Sequence, residues 1–280
     1  MESIYSLLDW LLPFSWMDHI FMKNAFLAVL LVTPLFGLLS TMVVSNRMAF
    51  FSDSLGHGAF TGIALGVLLG TVSPLLALVV FSIFFSLIIT YIKSKSSAST
   101  DTVIGVFSST AIALGLMLMS YGGGFNKFSS YMIGDLLSIA PEDIFALCGV
   151  FLGVLAVWAW IFNKLLILSI NPSFARSRGI PVLQIESFFA AMLAVIVAVS
   201  IQWVGLLIIN SLLVLPAAAA RNVTNDVKSY HLFSVFTAMF SGLVGLIFAY
   251  YFNMAAGASI VVVSAIIFFL TLLAKPYCIR

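Results

Sequence analysis

The chain has 280 residues, of which 62% are hydrophobic and 8% are charged, and its formal net charge is +2. So much apolar sequence exceeds what the core of a soluble domain needs, and so small a net charge gives no sign of nucleic-acid binding. The two cysteines, Cys148 and Cys278, stand far apart and form no Cys-x-x-Cys pair. The composition therefore indicates an integral membrane protein, with no support for a disulfide framework or a thiolate metal site.

Residues 1–18 are predicted to form an interfacial segment. They contain Glu2 and Asp9 and lack a basic n-region, so they do not read as a cleaved signal peptide. Tryptophan is a residue type that favours the level of the lipid headgroups, and we expect both Trp10 and Trp16 to lie there.

Residues 19–275 are predicted to form one transmembrane domain in the lipid bilayer. Apolar stretches of about 20 residues span a bilayer as helices, and two of the turns between them are too short to hold a soluble domain. The expected fold is an all-α, polytopic helix bundle with about nine transmembrane helices, or eight if one segment is merged or half-inserted. The segments are 19–44, 50–70, 74–92, 102–121, 143–168, 183–201, 203–220, 231–252 and 255–274.

The basic residues predict the orientation of these segments, because Lys and Arg favour the cytoplasmic side of a membrane. If nine helices alternate from an outside N-terminus, all Lys and Arg residues except Lys23 and Lys127 fall on one side. The loops at 171–181 and 221–229 are therefore predicted to be cytoplasmic.

Asp53 and His57 are the candidate metal ligands. They lie near the start of the predicted helix 50–70, four residues apart and hence on one helical face. An ionisable residue within a membrane span is costly, which makes it a functional-site candidate. A carboxylate and an imidazole together bind a divalent ion such as zinc or manganese. The alternative is a structural pair, in which Asp53 caps or hydrogen-bonds a neighbouring helix with His57 as its partner.

Three glycines beside these ligands, Gly58, Gly62 and Gly66, recur every four residues. This spacing is typical of a small-residue face that permits close helix contact in membranes. If two copies of the chain meet at this face, each contributes one Asp and one His. The resulting four ligands suit a tetrahedral zinc ion, and water extends the set for manganese.

A short cytoplasmic helix is predicted near 173–180, between two spans. Pro172 suits a helix start and Gly179 suits a C-terminal cap. Phe174 and Ala175 are expected to dock in a groove of a partner. The alternative is an ordinary basic loop that only sets the topology.

Asn210 and Asp135 are candidate pathway residues. Asn210 lies in the middle of the predicted span 203–220, where lining a pathway and hydrogen-bonding a neighbouring helix fit equally well. Asp135 is expected near the outer entrance, either as a carboxylate that attracts cations or as a solvated or capping residue.

Five stretches of the sequence resemble, in the same order, the permease subunit of the bacterial zinc/manganese ABC importers. They are RMAFFSDSLGHG (47–58), DTVIG (101–105), GDLLS (134–138), FARSRGI (174–180) and LLVLPAAAAR (212–221), so the resemblance covers nearly the whole chain. It implies a homodimeric permease in the bacterial inner membrane, served by a cytoplasmic ATP-binding subunit and an extracytoplasmic metal-binding protein. It also implies that the helix near 173–180, with Phe174, Ala175, Arg176 and Gly179, docks on the ATPase.

The resemblance and the residues together predict the membrane subunit of an ABC importer for zinc, with manganese or iron as the alternative cargo and no permanently bound cofactor. Zinc is favoured because GDLL at 134–137 looks more like the zinc branch of the family. A siderophore or vitamin permease would need a wide cavity and no paired metal ligands. An intramembrane enzyme, or a chain that hydrolyses ATP itself, would need motifs such as HExxH or a Walker lysine, which do not occur. A non-transport membrane protein would leave the cost of the Asp53–His57 pair unexplained.

Overall fold

The computed structural model describes residues 2–70, 73–121 and 136–278. These ranges form helices joined by turns and contain no strand, which confirms the predicted all-α class. Two 3-10 turns, Ser15–Met17 and Leu136–Ser138, occur among them. The helices are α1 (Glu2–Leu11), α2 (Ile20–Ser45), α3 (Ala49–Leu69), α4 (Pro74–Lys95), α5 (Thr100–Tyr121), α6 (Pro141–Ile170), α7 (Pro172–Ser177), α8 (Val182–Val204), α9 (Leu206–Leu212), α10 (Leu215–Val223), α11 (Val227–Phe252) and α12 (Ala256–Cys278).

Seven helices in the described ranges are long and apolar enough to cross a bilayer, so the predicted count of about nine is not confirmed. The seven are α2, α4, α5, α6, α8, α11 and α12. Part of the difference lies in α3, which has 21 residues but is not among them. Its first three turns hold Asp53, His57 and several serines and glycines, which lower its hydropathy.

The rest of the difference lies in the predicted span 203–220, which is broken into α9 and α10. Gly205, with a φ of 81°, separates α9 from the end of α8. Pro216 lies in the first turn of α10, and α9 ends at Leu212, four residues before it. A proline ring collides with the carbonyl four residues back and offers no N–H, so the break falls before the proline. Neither piece is long enough to span a bilayer alone.

The chain forms two compact units. The first unit contains residues 2–41, 136–152 and 203–278, and the second contains residues 42–70, 73–121 and 153–202. In the first unit, α10 packs against α11 and α12, which also pack against each other. In the second unit, α3 packs against both α4 and α5. The candidate metal ligands and the predicted docking helix therefore both belong to the second unit.

The N-terminal helix α1 is held against the start of α2 by polar contacts. Nζ of Lys23 lies 2.6 Å from Oδ1 of Asp9, and the hydroxyl of Tyr5 donates a hydrogen bond to Oδ1 of Asn24. Lys23 and Asn24 are 7% and 4% exposed, so these contacts satisfy groups whose burial would otherwise be costly. The predicted interfacial segment thus begins as a helix that is fixed to a membrane span.

The two tryptophans of this segment differ in their surroundings. Trp10 is exposed, as expected of a residue that contacts lipid headgroups. Trp16 is buried, with its ring 5.9 Å from that of Phe26 on α2. Protein side chains therefore cover Trp16, and its position at the level of the headgroups stays a prediction.

Within the first unit, α11 and α12 cross closely at Gly245. A Cβ on Gly245 would lie 2.5 Å from Cα of Ile260 and 2.6 Å from its backbone nitrogen. Backbone atoms cannot shift to make room for this Cβ, as the end of a flexible side chain can. The missing side chain therefore lets the two helices touch directly, as small residues do in membrane bundles.

We expect Gly245→Ala to lower the free energy of unfolding by about 1–3 kcal/mol, the usual cost of overpacking. The measurement is thermal unfolding of the purified chain in detergent. Gly149→Ala on α6 is the control, since a Cβ at Gly149 has no neighbour within 4 Å and alanine favours a helix. Equal unfolding midpoints for the two variants would contradict the close crossing.

Candidate metal-ion site

Asp53 and His57 lie together on one face of α3. Nε2 of His57 is 3.4 Å from Oδ2 of Asp53. The side chain of His57 is 27% exposed and that of Asp53 is 46% exposed. The pair therefore presents an imidazole nitrogen and a carboxylate oxygen side by side on a partly open surface, and both atoms are ligands that zinc and manganese accept.

The turn between α2 and α3 sets the residue at which α3 begins, and therefore how far along α3 the Asp53–His57 pair lies. Arg47 adopts a left-handed backbone with a φ of 56°, which is uncommon for a residue other than glycine. After this turn α3 begins at Ala49. At about 1.5 Å per residue, Asp53 and His57 follow about 6 Å and 12 Å along the helix axis. Both candidate ligands thus lie within the first three turns of α3.

Another face of α3 is covered by α4 of the same chain. A Cβ on Gly58 would lie 2.9 Å from two ring carbons of Phe85, and one on Gly62 would lie 3.1 Å from Cα of Leu78. The small residues do permit close helix contact, as predicted. The helix that they contact, however, is α4 of the same chain. The prediction that these glycines contact a second copy is therefore wrong for Gly58 and Gly62.

The contact between α3 and α5 includes a buried hydrogen bond. The hydroxyl of Thr61 donates to the carbonyl oxygen of Ala111 over 2.6 Å. A Cβ on Gly115 would lie 3.2 Å from the backbone nitrogen of Thr61, so the two helices are close here as well. Helices α4 and α5 thus hold α3 in place, while the face with Asp53 and His57 stays partly exposed.

The two ligands of this pair are fewer than the four that a tetrahedral zinc ion takes. Within residues 2–70, 73–121 and 136–278, no three or more His, Cys, Asp or Glu side chains form a group that could hold one metal ion. The described residues therefore bring together two candidate ligands at this position, Asp53 and His57.

The predicted cytoplasmic helix is α7, and local signals define both of its ends. The side chain of Asn171 accepts hydrogen bonds from two backbone N–H groups of the first turn, at 2.9 Å and 3.1 Å. Gly179 ends the helix with a φ of 73°, and the N–H of Ile180 donates to the carbonyl of Ala175. These caps define a short helix here. That it docks on a partner, and does not only set the topology, stays a prediction.

The residues of α7 differ in what they offer to a partner. Phe174 is 47% exposed, and the guanidinium of Arg178 lies 5.0 Å from the centre of its ring. Arg176 is exposed as well. Ala175 is fully buried, so its predicted docking contact is wrong. Its side chain anchors α7 to its own chain and leaves Phe174 and the arginines to face outward.

The two candidate pathway residues are Asn210 and Asp135. Asn210 is half-buried on α9 and belongs to the first unit, whereas the Asp53–His57 pair belongs to the second. Asp135 lies outside the described residues. A role for either residue in a metal pathway stays a prediction.

Sequence reasoning missed an ion pair between α4 and α8. Nζ of Lys93 lies 3.3 Å from Oε1 of Glu186. A signal was present, because Glu186 is the only acidic residue between Asp143 and Asp226 and lies near the predicted cytoplasmic end of a span. Its partner could not be read from the sequence, since the two residues are 93 positions apart.

Comparisons with known proteins cover nearly the whole chain. The family model described as ABC 3 transport family matches residues 18–275. The high-affinity zinc uptake system membrane protein ZnuB of Buchnera aphidicola subsp. Baizongia pistaciae is 30% identical over 89% of this chain and 96% of its own length. The manganese import system permease protein ScaB of Streptococcus gordonii is 30% identical over 92% of this chain and 93% of its own length.

A solved structure is similar over the same extent. A chain of PsaBC from Streptococcus pneumoniae, solved in complex with Fab, matches with a TM-score of 0.78 and 28% sequence identity. The match covers 97% of this chain and 95% of that one. Together with the seven apolar helices, these similarities show a multi-pass membrane protein.

Proposed function

Because this chain belongs to the ABC 3 transport family, we propose that it is the membrane-spanning permease subunit of an ATP-driven importer of divalent transition metal ions. The observation that carries the proposal is the Asp53–His57 pair on a partly exposed face of a highly apolar chain. Ionisable groups in a membrane protein mark substrate or ion pathways by default. The metal ion is the transported substrate and not a resident cofactor.

Two copies of the chain complete the metal site in this proposal. Each copy supplies one carboxylate and one imidazole, and the resulting four ligands satisfy tetrahedral zinc. The contact does not use Gly58 and Gly62, which face α4. It uses the face of α3 that carries Phe50, Asp53 and His57, spaced by three and four residues. Phe50 is 64% exposed, which leaves this face accessible to a second copy.

Zinc is the favoured cargo, with manganese as the second candidate and iron as the third. ZnuB is named for zinc uptake and ScaB for manganese import, and this chain is 30% identical to each. Imidazole nitrogen suits zinc, and carboxylate oxygen suits zinc and manganese alike. The GDLL stretch at 134–137, which resembles the zinc branch, is the feature that favours zinc.

Energy reaches the permease from a separate cytoplasmic ATP-binding subunit that docks on α7. The chain contains no Walker lysine motif, and α7 presents Phe174 and Arg176 outward. An extracytoplasmic metal-binding protein delivers the ion, and Asp135 and Asn210 contribute to its pathway. Residues 1–18 lie at the surface of the bacterial inner membrane, where Trp10 contacts the lipid headgroups.

A structural Asp/His pair in a non-transport membrane protein is the rival function. A structural pair would be expected inside the protein, with its polar atoms shielded, because a partly open carboxylate next to lipid is costly. The 46% exposure of the Asp53 side chain favours the transport function instead.

The test is uptake of radiolabelled zinc by proteoliposomes that contain the permease, its ATP-binding subunit and its metal-binding protein. We expect ATP-dependent uptake that unlabelled zinc suppresses more strongly than unlabelled manganese. If unlabelled manganese suppresses the uptake more strongly than unlabelled zinc, manganese is the preferred cargo. The absence of ATP-dependent uptake of zinc, manganese and iron would contradict the proposed function.

A further inference from the structure

Lys93 and Glu186 join two helices of the second unit at the end that is predicted to be cytoplasmic. Lys93 lies in the last turn of α4, and Glu186 lies near the start of α8. Their charged groups are 3.3 Å apart, and their side chains are 21% and 19% exposed. Such shielding from solvent makes the attraction less sensitive to salt than that of an open surface pair.

Glu186 is the member of the pair that is close in the chain to the docking helix α7. The N–H of Ile185 donates to the carbonyl of Pro181, so the first turn of α8 begins directly after the segment that caps α7. Ala175 on α7 and Ile185 on α8 are both buried, at 0% and 2% exposure. Ala175 and Ile185 thus fix both ends of the connection between α7 and α8 to the protein. A displacement of α7 is therefore expected to move Glu186 as well.

Helix α4 connects the pair to the candidate metal ligands. Phe85 precedes Lys93 by eight residues, which is about 12 Å along α4. Its ring packs directly on Gly58, where a Cβ would lie only 2.9 Å from two ring carbons. Gly58 follows His57 in the chain, so α4 contacts the very turn of α3 that carries a candidate ligand.

We propose that Lys93 and Glu186 are a positioning pair that couples the docking helix α7 to the ligand-bearing turn of α3. The inference rests on the proposed transport function. The ion pair makes α4 and α8 move together when the ATP-binding subunit displaces α7, and Phe85 then passes the displacement to Gly58. Neither charged residue contacts the metal ion in this arrangement. A charge-swap cycle measures such coupling directly.

The cycle consists of Lys93→Glu, Glu186→Lys and the double variant, each in the reconstituted complex with zinc as the cargo. Each single variant places two like charges in contact. We expect it to lower the number of zinc ions moved per ATP hydrolysed by about five-fold or more, the range of coupling between distinct sites. The double variant restores the attraction with reversed polarity, and we expect it to recover most of the wild-type ratio.

Lys95→Glu is the control, because it makes the same charge change at an exposed lysine in the same turn. Thermal unfolding and co-purification with the ATP-binding subunit distinguish a loss of coupling from misfolding or lost docking. If a charge reversal prevents folding, Lys93→Gln and Glu186→Gln are measured by the same ratio and are also expected to lower it.

Two results would overturn the positioning role. One is a wild-type ratio of zinc to ATP in the single variants, or in the Gln variants that replace them. The other is a double variant that remains as uncoupled as the single ones. If the wild-type complex itself moves no metal ion, the proposed transport function fails instead, and the cycle does not need to be run.

Discussion

Asp53→Ala and His57→Ala are each expected to abolish metal transport and to leave the permease assembled. Each change removes one of the two ligands that a copy supplies, and therefore two of the four in a shared site. Loss of a residue that merely orients a ligand costs about 10–100-fold, so we expect loss of a ligand to reduce uptake by more than about 100-fold. The measurement is ATP-dependent uptake of radiolabelled zinc and manganese.

The controls for these variants are His19→Ala and Glu142→Ala, which remove an exposed imidazole and an exposed carboxylate elsewhere in the chain. Both are expected to transport at the wild-type rate. Co-purification of the ATP-binding subunit checks that every variant is assembled. Wild-type uptake by both Asp53→Ala and His57→Ala would show that the pair is structural.

Phe174→Ala is expected to weaken association with the ATP-binding subunit and to uncouple ATP hydrolysis from metal movement. Phe174 is the exposed apolar residue of α7, and its ring is backed by the guanidinium of Arg178 at 5.0 Å. Loss of an aromatic anchor at an interface hot spot costs about 2 kcal/mol or more. That corresponds to about 30-fold weaker binding, which a titration of the two purified subunits measures.

Ser173→Ala is the control, since it shortens an exposed neighbouring side chain of the same helix. Ala175→Asp is expected to act differently, because a carboxylate at this fully buried position would displace α7 from its own chain. Metal binding at Asp53 and His57 should persist in Phe174→Ala. Unchanged subunit affinity and unchanged coupling in that variant would mean that docking occurs elsewhere, with residues 221–229 as the next candidate.

The features that the sequence predicted well depend on residues close together in the chain. Asp53 and His57 share a face because residues four apart do so in any α-helix. The limits of α7 follow from Pro172 and Gly179, which act within one turn of the helix ends. These signals do not depend on which helices pack against each other in the fold.

The features that the sequence did not predict depend on tertiary neighbours. The spacing of Gly58 and Gly62 indicated close packing but not that α4 of the same chain is the partner. The burial of Ala175 and Trp16 and the pairing of Lys93 with a residue on α8 depend on distant segments in the same way. The count of about nine spans is not confirmed for other reasons. Hydropathy does not reveal a break such as the one before Pro216, and α3 is not among the helices apolar enough to be counted.

X-ray absorption at the zinc edge is the most direct test of the claim that two copies of Asp53 and His57 bind the transported ion. The zinc-loaded permease complex should contain one ion per two copies, with nitrogen and oxygen ligands at about 2.0–2.2 Å and an imidazole signal. The double variant Asp53→Ala/His57→Ala should lose this ion. A sulfur ligand at about 2.3 Å, one ion per copy, or an unchanged spectrum in the double variant would contradict the claim.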